Sequence, residues 1–375
     1  MAPPIPLYPP RPSVGFPNDP KLQRAVDTAL GELQKVRTGA IPFSFAIIDL
    51  GGSGNLGWGA YKPDEIDYVA SAAKVAAMLA AFALRDMAQR FHGARKTAQI
   101  AAAVEKGTTG LTELADAIGG KPTPKMASLF DALRAVMDDE IDSASPKPLM
   151  AVKRPHRIPH YEQVFTPVPP GGWLFPNFSG AFRKSMELMI VPSDNGGAGR
   201  VIRGVGYGYL NGLLEHFGLF VPKTPAGIWL AGDFVSQYPY VRITSVNDAG
   251  VAQAGTALSM AQMMALIVNR ACIDTASCNE MRDLLAKAAK GIDQPFVSRD
   301  DVSDKLRIPL AKITHAKLGY GPLKKGGNVL SEIFRLEGLK AAAKSYAIAY
   351  QNLNENTSSA GDAAFMIRRT IELYE

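Results

Sequence analysis

The segments patterned as β-strands lie at the two ends of this chain, and this constrains the fold more than any other feature of the sequence. Strand-forming residues occur at Phe43–Leu50, Asn55–Tyr61, Leu310–Tyr320, Val329–Leu336 and Ser345–Leu353. Connections within each group are short, which favours antiparallel pairing. The sequence therefore predicts an α/β (α+β) fold, in which both chain ends form one five-stranded antiparallel sheet with flanking helices and an inserted all-helical subdomain.

Helical patterns divide the chain further. Leu22–Val36 has apolar residues at helical spacing, and a closing helix is expected at about Ala360–Leu373. We expect three parts: an extended, poorly ordered, proline-rich leader at residues 1–20, a sheet domain at residues 21–70 and 300–375, and a helical domain at residues 71–299.

The helical domain is predicted from several shorter patterns. A helix that contains Ser71 is expected to run to about Arg90, and residues 218–252 are expected to form a loop. Residues 91–180 form a long irregular insertion of unassigned role. Further helices are predicted at Lys96–Lys106, Leu111–Ile118, Lys125–Met137, Phe178–Val191, Thr256–Arg270 and Asn279–Ala289.

Charge and hydropathy exclude two classes of partner. The net charge of +6 is spread along the chain, and no basic run with interleaved aromatic residues occurs, so a nucleic-acid partner is not expected. No apolar run is long enough to span a membrane.

The N-terminus has no signal-peptide pattern, so we expect a cytoplasmic protein, or a periplasmic or secreted one if a signal peptide was replaced. The oligomeric state is not indicated.

The chain has two cysteines, Cys272 and Cys278, with five residues between them. Two interpretations remain open. The spacing suits a disulfide that closes a short loop between two helices, and it equally suits two buried, reduced thiols. A metal site is not expected, because no histidine lies within a few residues of either cysteine.

Ser71 and Lys74 introduce chemistry at the start of an apolar helix. Residues three apart share a helix face, so the Lys74 amine can approach the Ser71 hydroxyl. A serine hydroxyl needs a neighbouring base to act as a nucleophile, and a helix N-terminus favours a developing oxyanion. The same pair also fits an N-cap serine followed by a surface lysine.

Histidines and a basic segment carry weaker signals. The segment Ser143–Gly172 contains Lys153, Arg154, His156, Arg157 and His160, which favours a solvated loop over a rim for an anionic substrate. His315 shares a strand face with Lys317, which fits a cleft position and a structural one equally.

Three short motifs occur in order along the chain. Ser71-Ala72-Ala73-Lys74 follows the first predicted hairpin, Ser193-Asp194-Asn195 follows an apolar helix, and Lys317-Leu318-Gly319 lies on the first C-terminal strand. Through these motifs, residues 20–375 resemble the superfamily of serine β-lactamases and penicillin-binding proteins (DD-peptidases), with the motif order of class A enzymes. The interval between the first two motifs is about twice the class A length.

The resemblance implies a serine hydrolase with a β-lactamase/transpeptidase-like fold. Ser71 would be the acylated nucleophile, Lys74 its activating partner, and Ser193 the proton relay to the leaving group. Backbone N–H groups of Ser71 and Gly321 would form the oxyanion hole. The implied substrate-binding residues are Asn195, Lys317, Gly319, Tyr320 and Gly321. The resemblance implies no cofactor and no metal, and its expected partner is a small-molecule or peptide substrate.

Two departures from the family pattern bear on the substrate. Leu318 stands where the family has a hydroxyl residue that binds a substrate carboxylate, and Tyr320 is the nearest substitute. Class A enzymes deacylate with a glutamate in a Glu-x-x-Leu-Asn motif, but no glutamate lies between His216 and Asn279. We therefore expect an amide or ester substrate and no efficient class A β-lactamase activity. The alternatives are a non-catalytic binding or scaffold protein on the same fold, and a slowly deacylating penicillin-binding protein.

Overall fold

The computed structural model describes residues 5–37, 41–51, 55–106, 128–168, 174–291, 295–339, 344–354 and 357–375. The helices are α1 Pro20–Val36, α2 Lys74–Glu105, α3 Leu129–Ser143, α4 Tyr161–Val164, α5 Gly180–Ile190, α6 Asn195–Val205, α7 Tyr207–His216, α8 Ala257–Val268, α9 Thr275–Ala289 and α10 Thr357–Tyr374. The strands are β1 Ser44–Asp49, β2 Trp58–Tyr61, β3 Asp67–Tyr68, β4 Phe220–Val221, β5 Ala226–Gly227, β6 Trp229–Leu230, β7 Ile243–Ser245, β8 Ala249–Val251, β9 Gln253–Gly255, β10 Ile313–Pro322, β11 Asn328–Glu337 and β12 Ser345–Asn354.

Both chain ends contribute to one sheet, which confirms the predicted fold class. Its five strands run in the order β10-β11-β12-β1-β2, and every neighbouring pair is antiparallel. The join between the two ends is the β1–β12 pair, in register from Ser44 opposite Gln351 to Asp49 opposite Tyr346. The helical region is therefore inserted between two halves of one sheet.

Side chains alternate between the two faces of the sheet. Phe45 and Ile47 of β1 belong to a core shared with α1 and α10, whereas Ala46 and Ile48 belong to a core shared with the inserted helices. The second face of the sheet thus packs against α8, while β10 contacts α9 and the 3₁₀ helix Ala70–Ala73 that leads into α2.

Helix α2 is longer than predicted. The glycine at position 93 indicates a break after about Arg90, yet the helix continues without interruption to Glu105. A single glycine costs a helix about 1 kcal/mol, which the buried face from Val75 to Phe91 outweighs. The predicted helix Leu111–Ile118 lies outside the described residues. Only residues 128–137 of the predicted helix Lys125–Met137 are described, and α3 covers most of them.

The described part of the proline-rich leader, residues 5–20, packs against the fold, contrary to the prediction that the leader is poorly ordered. Leu7 is buried, and the Tyr8 ring lies 5.3 Å from that of Tyr209. The Pro9 carbonyl contacts His216 Nε2 at 2.9 Å. Apolar side chains between the prolines therefore dock the leader onto the fold, although its proline content predicts an extended, poorly ordered segment.

The helix predicted at Lys96–Lys106 is not separate but forms the end of α2. The remaining predicted helices and strands match the observed ones to within a few residues. Residues 218–252, predicted as a loop, contain five short strands, β4 to β8. No helix in the described part of the chain is long and apolar enough to cross a membrane. The division into domains stays a prediction.

Candidate active site

Ser71 lies in a 3₁₀ helix, Ala70–Ala73, that leads directly into α2. The residue before it, Ala70, has φ +45°, in the left-handed region that L-residues rarely adopt. Ala70, Ala72 and Ala73 are buried, whereas Ser71 is half-buried. The tight turn therefore places one polar side chain at the surface of an otherwise apolar segment.

Lys74 is the first residue of α2, and its side chain is completely buried. Its Nζ donates to the backbone oxygen of Ser193 at 2.6 Å and to Asn195 Oδ1 at 2.8 Å, with Ser193 Oγ at 3.4 Å. A buried amine needs such oxygen partners to offset its lost hydration. These hydrogen bonds hold the Lys74 side chain against the second motif, Ser193-Asp194-Asn195.

The second motif lies where α5 turns into α6. Ser193 has φ +61°, and Asp194 caps α6 by accepting a hydrogen bond from the Gly197 N–H. A Cβ on Gly197 would lie 2.6 Å from the Ser185 carbonyl oxygen, so the two helices require glycine at their closest approach. This turn directs both Ser193 and Asn195 at Lys74.

Lys317 on β10 approaches the same hydroxyl from the sheet. Its side chain is buried, and Nζ donates to Ser193 Oγ at 2.7 Å and to the Leu318 carbonyl oxygen at 3.1 Å. Two amine side chains, Lys74 and Lys317, thus flank one serine oxygen. The structure brings these residues together from positions that lie far apart in the sequence.

The glycines of the third motif allow β10 to lie against the Ser71 turn. A Cβ on Gly319 would lie 2.2 Å from the Val69 carbonyl oxygen, and one on Gly321 would lie 2.8 Å from Tyr68 Oη. Backbone of β10 therefore runs directly beside residues 68–72. Larger residues at either glycine would separate the strand from the turn.

Leu318 and Tyr320 lie on the opposite face of β10 from Lys317. Leu318 packs against the core shared with α1 and α10, and Tyr320 is 42% exposed. The Tyr320 hydroxyl accepts a hydrogen bond from Asn328 Nδ2 at 2.6 Å. Of the five predicted substrate-binding residues, Tyr320 is thus the one whose side chain is directed away from the other motifs.

Sequence reasoning missed Phe234, whose ring lies over the Lys74 amine. Nζ is 4.7 Å from the ring centroid, and Phe234 has φ +61°. No motif marks this residue, since its role depends on a contact with a lysine far away in the chain. The only sequence signal is its place within residues 218–252.

Asp233, next to Phe234, is completely buried and already engaged. Its Oδ2 accepts from Arg203 Nη1 at 2.7 Å and from the backbone N–H groups of Gln237 and Tyr238 at 3.1 and 3.2 Å. Its Oδ1 accepts from the Val235 N–H at 3.3 Å. These bonds fold the loop that presents Phe234.

His315 is buried and belongs to a cationic cluster. Its Nδ1 lies 2.8 Å from Thr314 Oγ1. Burial, followed by the charges of Arg282 and Arg335, lowers the pKa of His315 to about 4, so the ring is neutral at physiological pH. This environment favours the structural interpretation of the residue.

The basic segment is tied to its surroundings, which differs from the predicted solvated loop. Arg157 is buried and donates to Asp142 at 2.6 Å. His160 Nε2 lies 2.9 Å from Tyr238 Oη, and the His156 ring packs against the Tyr238 ring at 4.1 Å. The segment thus supports the loop that carries Phe234.

Comparisons with known proteins return solved structures only. No family model and no curated protein matches the sequence. A β-lactamase from Sphaerobacter thermophilus DSM 20745 is 14% identical, with 94% of this chain and 97% of that one covered and a TM-score of 0.45. A β-lactamase from Chitinophaga pinensis DSM 2588 is 12% identical, with 94% and 98% covered and a TM-score of 0.46. PBP-A is 13% identical, with 98% and 97% covered and a TM-score of 0.43.

Proposed function

We propose that this protein is a serine hydrolase that forms an acyl-enzyme on Ser71 with an amide or ester substrate. One observation carries the proposal: Lys74, three residues after Ser71, and Lys317 both reach the Ser193 hydroxyl, at 3.4 and 2.7 Å. Two buried amines around a half-buried hydroxyl form a path along which a proton can move. Burying two lysine side chains is unfavourable because their amines lose hydration. A scaffold protein would have little use for this arrangement.

In the proposed reaction, the Ser71 oxygen attacks the substrate carbonyl carbon while the neutral amine of Lys74 accepts its proton. The N–H groups of Ser71 and Gly321 receive the negative oxygen of the tetrahedral intermediate. Ser193 then donates its proton to the leaving nitrogen or oxygen and takes one from the Lys74 ammonium. The bond to the leaving group breaks, and the acyl group remains on Ser71 as an ester.

Hydrolysis of that ester is expected to be slow. A water beside Lys74 needs space and a base, and the Phe234 ring lies over the Lys74 amine. The neighbouring carboxylate, Asp233, is engaged by Arg203 and by backbone N–H groups. The loop that carries Asp233 and Phe234 therefore favours a long-lived acyl-enzyme and disfavours rapid turnover.

The substrate class follows from the cleft side of β10. Lys317 offers a positive charge, but Leu318 packs into a core and the Tyr320 hydroxyl bonds to Asn328. Neither of these two residues places a hydroxyl beside the Lys317 amine. The carboxylate of a β-lactam would therefore lack one of the hydrogen bonds that the family provides. We infer a substrate that does not depend on that contact, such as a simple ester or amide.

A non-catalytic binding protein is the second candidate, and the cover of Lys74 by Phe234 favours it. Intact-mass spectrometry after treatment with a fluorophosphonate, a penicillin or a p-nitrophenyl ester separates the two. We expect one adduct on the parent, none on Ser71→Ala and an unchanged adduct on Ser303→Ala, which alters an exposed serine. A lasting penicillin adduct would instead identify a penicillin-binding protein. A folded parent without any adduct would leave the binding protein as the answer.

A further inference from the structure

The turn between α8 and α9 brings two thiols together. Cys272 lies in the turn, Cys278 lies in the first part of α9, and their Sγ atoms are 3.3 Å apart. Both are free, buried cysteines. Of the two interpretations open from the sequence, the structure has the buried thiols, at a separation that a small movement would turn into a bond.

The surroundings stabilise a thiolate on Cys278. A hydrogen bond from the Cys272 thiol, with backbone N–H groups of Ile273 and Cys272, lowers the pKa of Cys278 to about 6. The same hydrogen bond, with burial, raises the pKa of Cys272. The two sulfurs are therefore unequal: Cys278 is the more readily ionised of the pair, and the Cys272 thiol donates a hydrogen bond to its thiolate.

Access to the pair is from the Cys272 side. A surface cavity is lined by residues 9–13, by Asp86 and by residues 270–274, including Cys272. Cys278 is completely buried and does not line this cavity. A small oxidant that enters the cavity meets Cys272 first.

We propose that Cys272 and Cys278 are a redox-active dithiol, which a low-molecular-weight disulfide oxidises within the folded protein to a bond that closes the α8–α9 turn. Cys272 loses its proton and attacks one sulfur of oxidised glutathione, which releases one glutathione thiolate that takes up the proton. The Cys278 thiolate then attacks the Cys272 sulfur and displaces the second glutathione, which is protonated by solvent. Two cysteine sulfurs are oxidised and one glutathione disulfide is reduced.

The test exposes the reduced full chain to a series of oxidised-to-reduced glutathione ratios, followed by alkylation, intact mass and peptide mapping. We expect the folded protein to lose two hydrogens and to resist alkylation at both cysteines. We also expect a thermal midpoint about 3 °C higher than that of the reduced protein, reversed by a phosphine reductant, because the bond constrains the unfolded chain. Retention of two alkylatable thiols at every ratio, or a bond that forms only in urea, would overturn the proposal.

Two single variants test the assigned order of attack. In Cys278→Ser, Cys272 should hold glutathione as a mixed disulfide that is not resolved. In Cys272→Ser, the buried Cys278 should acquire no glutathione while the protein is folded. The opposite pattern, or a thermal shift that persists in either variant, contradicts the proposal. None of these outcomes depends on chemistry at Ser71.

Discussion

The Phe234 ring lies over the amine of Lys74, with Nζ 4.7 Å from the ring centroid. Phe234 is held in the left-handed region of backbone conformation, at φ +61°. A strained residue beside a buried amine indicates that the surrounding loop, and not the residue itself, determines its position. The pair links the loop of residues 233–238 to the chemistry proposed at Ser71.

Phe234→Ala is expected to shorten the life of the acyl-enzyme. Removing the ring opens space for water next to Lys74, so the adduct on Ser71 should be lost about tenfold faster, while its formation changes little. Time-resolved intact mass measures the decay. Phe234→Tyr keeps an aromatic face and should decay like the parent; equal lifetimes in all three proteins would show that the ring does not exclude water.

Lys317→Met is expected to slow acylation. The substitution keeps the length of the side chain but removes the donor to Ser193 Oγ, and losing one such preorganised group costs about 10²–10³-fold in rate. The rate of adduct formation with a p-nitrophenyl ester measures the effect. Lys325→Met, at an exposed position just beyond the same strand, serves as the control. Comparable rates for both variants would remove Lys317 from the mechanism.

Gly319→Ala is expected to impair stability and acylation together. The new Cβ would lie 2.2 Å from the Val69 carbonyl oxygen and 2.8 Å from the Ala72 nitrogen, so the backbone of the Ser71 turn must move. Overpacking of this kind costs about 1–3 kcal/mol in the free energy of unfolding. Gly31→Ala meets no atom within 4 Å and should stabilise α1 by about 0.5–1 kcal/mol. Urea unfolding compares the two variants, and an unaffected Gly319→Ala protein would contradict the close packing.

The contribution of Asp67 to stability is expected to fall as pH rises. Asp67 is buried, with Oδ2 accepting from Ser44 Oγ at 3.1 Å and no partner for Oδ1. Burial, and then the charge of Glu65, raises the pKa of Asp67 from 3.8 to about 7. The folded state thus holds this proton more tightly than the unfolded state. The resulting stability is complete below the unfolded pKa and is lost as pH rises through the folded one.

Between about pH 4 and about pH 8 this contribution should fall by on the order of 4 kcal/mol in the free energy of unfolding, whereas the lowered pKa of His315 contributes in the opposite direction. Urea unfolding across this range measures it. Asp67→Asn should remove this component of the pH dependence, whereas Asp64→Asn, at an exposed position in the same loop, should retain it. A difference in the free energy of unfolding between the parent and Asp67→Asn that does not fall as pH rises would refute the assignment.

The sequence by itself determined the sheet and the motif positions. Strand alternation and short connections are local properties, so the strands at both ends and the placement of Ser71, Ser193 and Lys317 on successive elements could be derived from them. The end of α2 could not be derived in this way. A glycine ends a helix only when the packing of the buried face around it does not offset the cost of the glycine.

Only the tertiary structure decided what surrounds the motifs. The contact of Phe234 with Lys74, the engagement of Asp233 by Arg203 and the 3.3 Å approach of Cys272 to Cys278 all depend on how loops pack. Such contacts join residues whose separation follows no period and whose geometry is set by the summed packing of distant elements. A local pattern therefore carries no information about them, and they become visible only when the chain is folded.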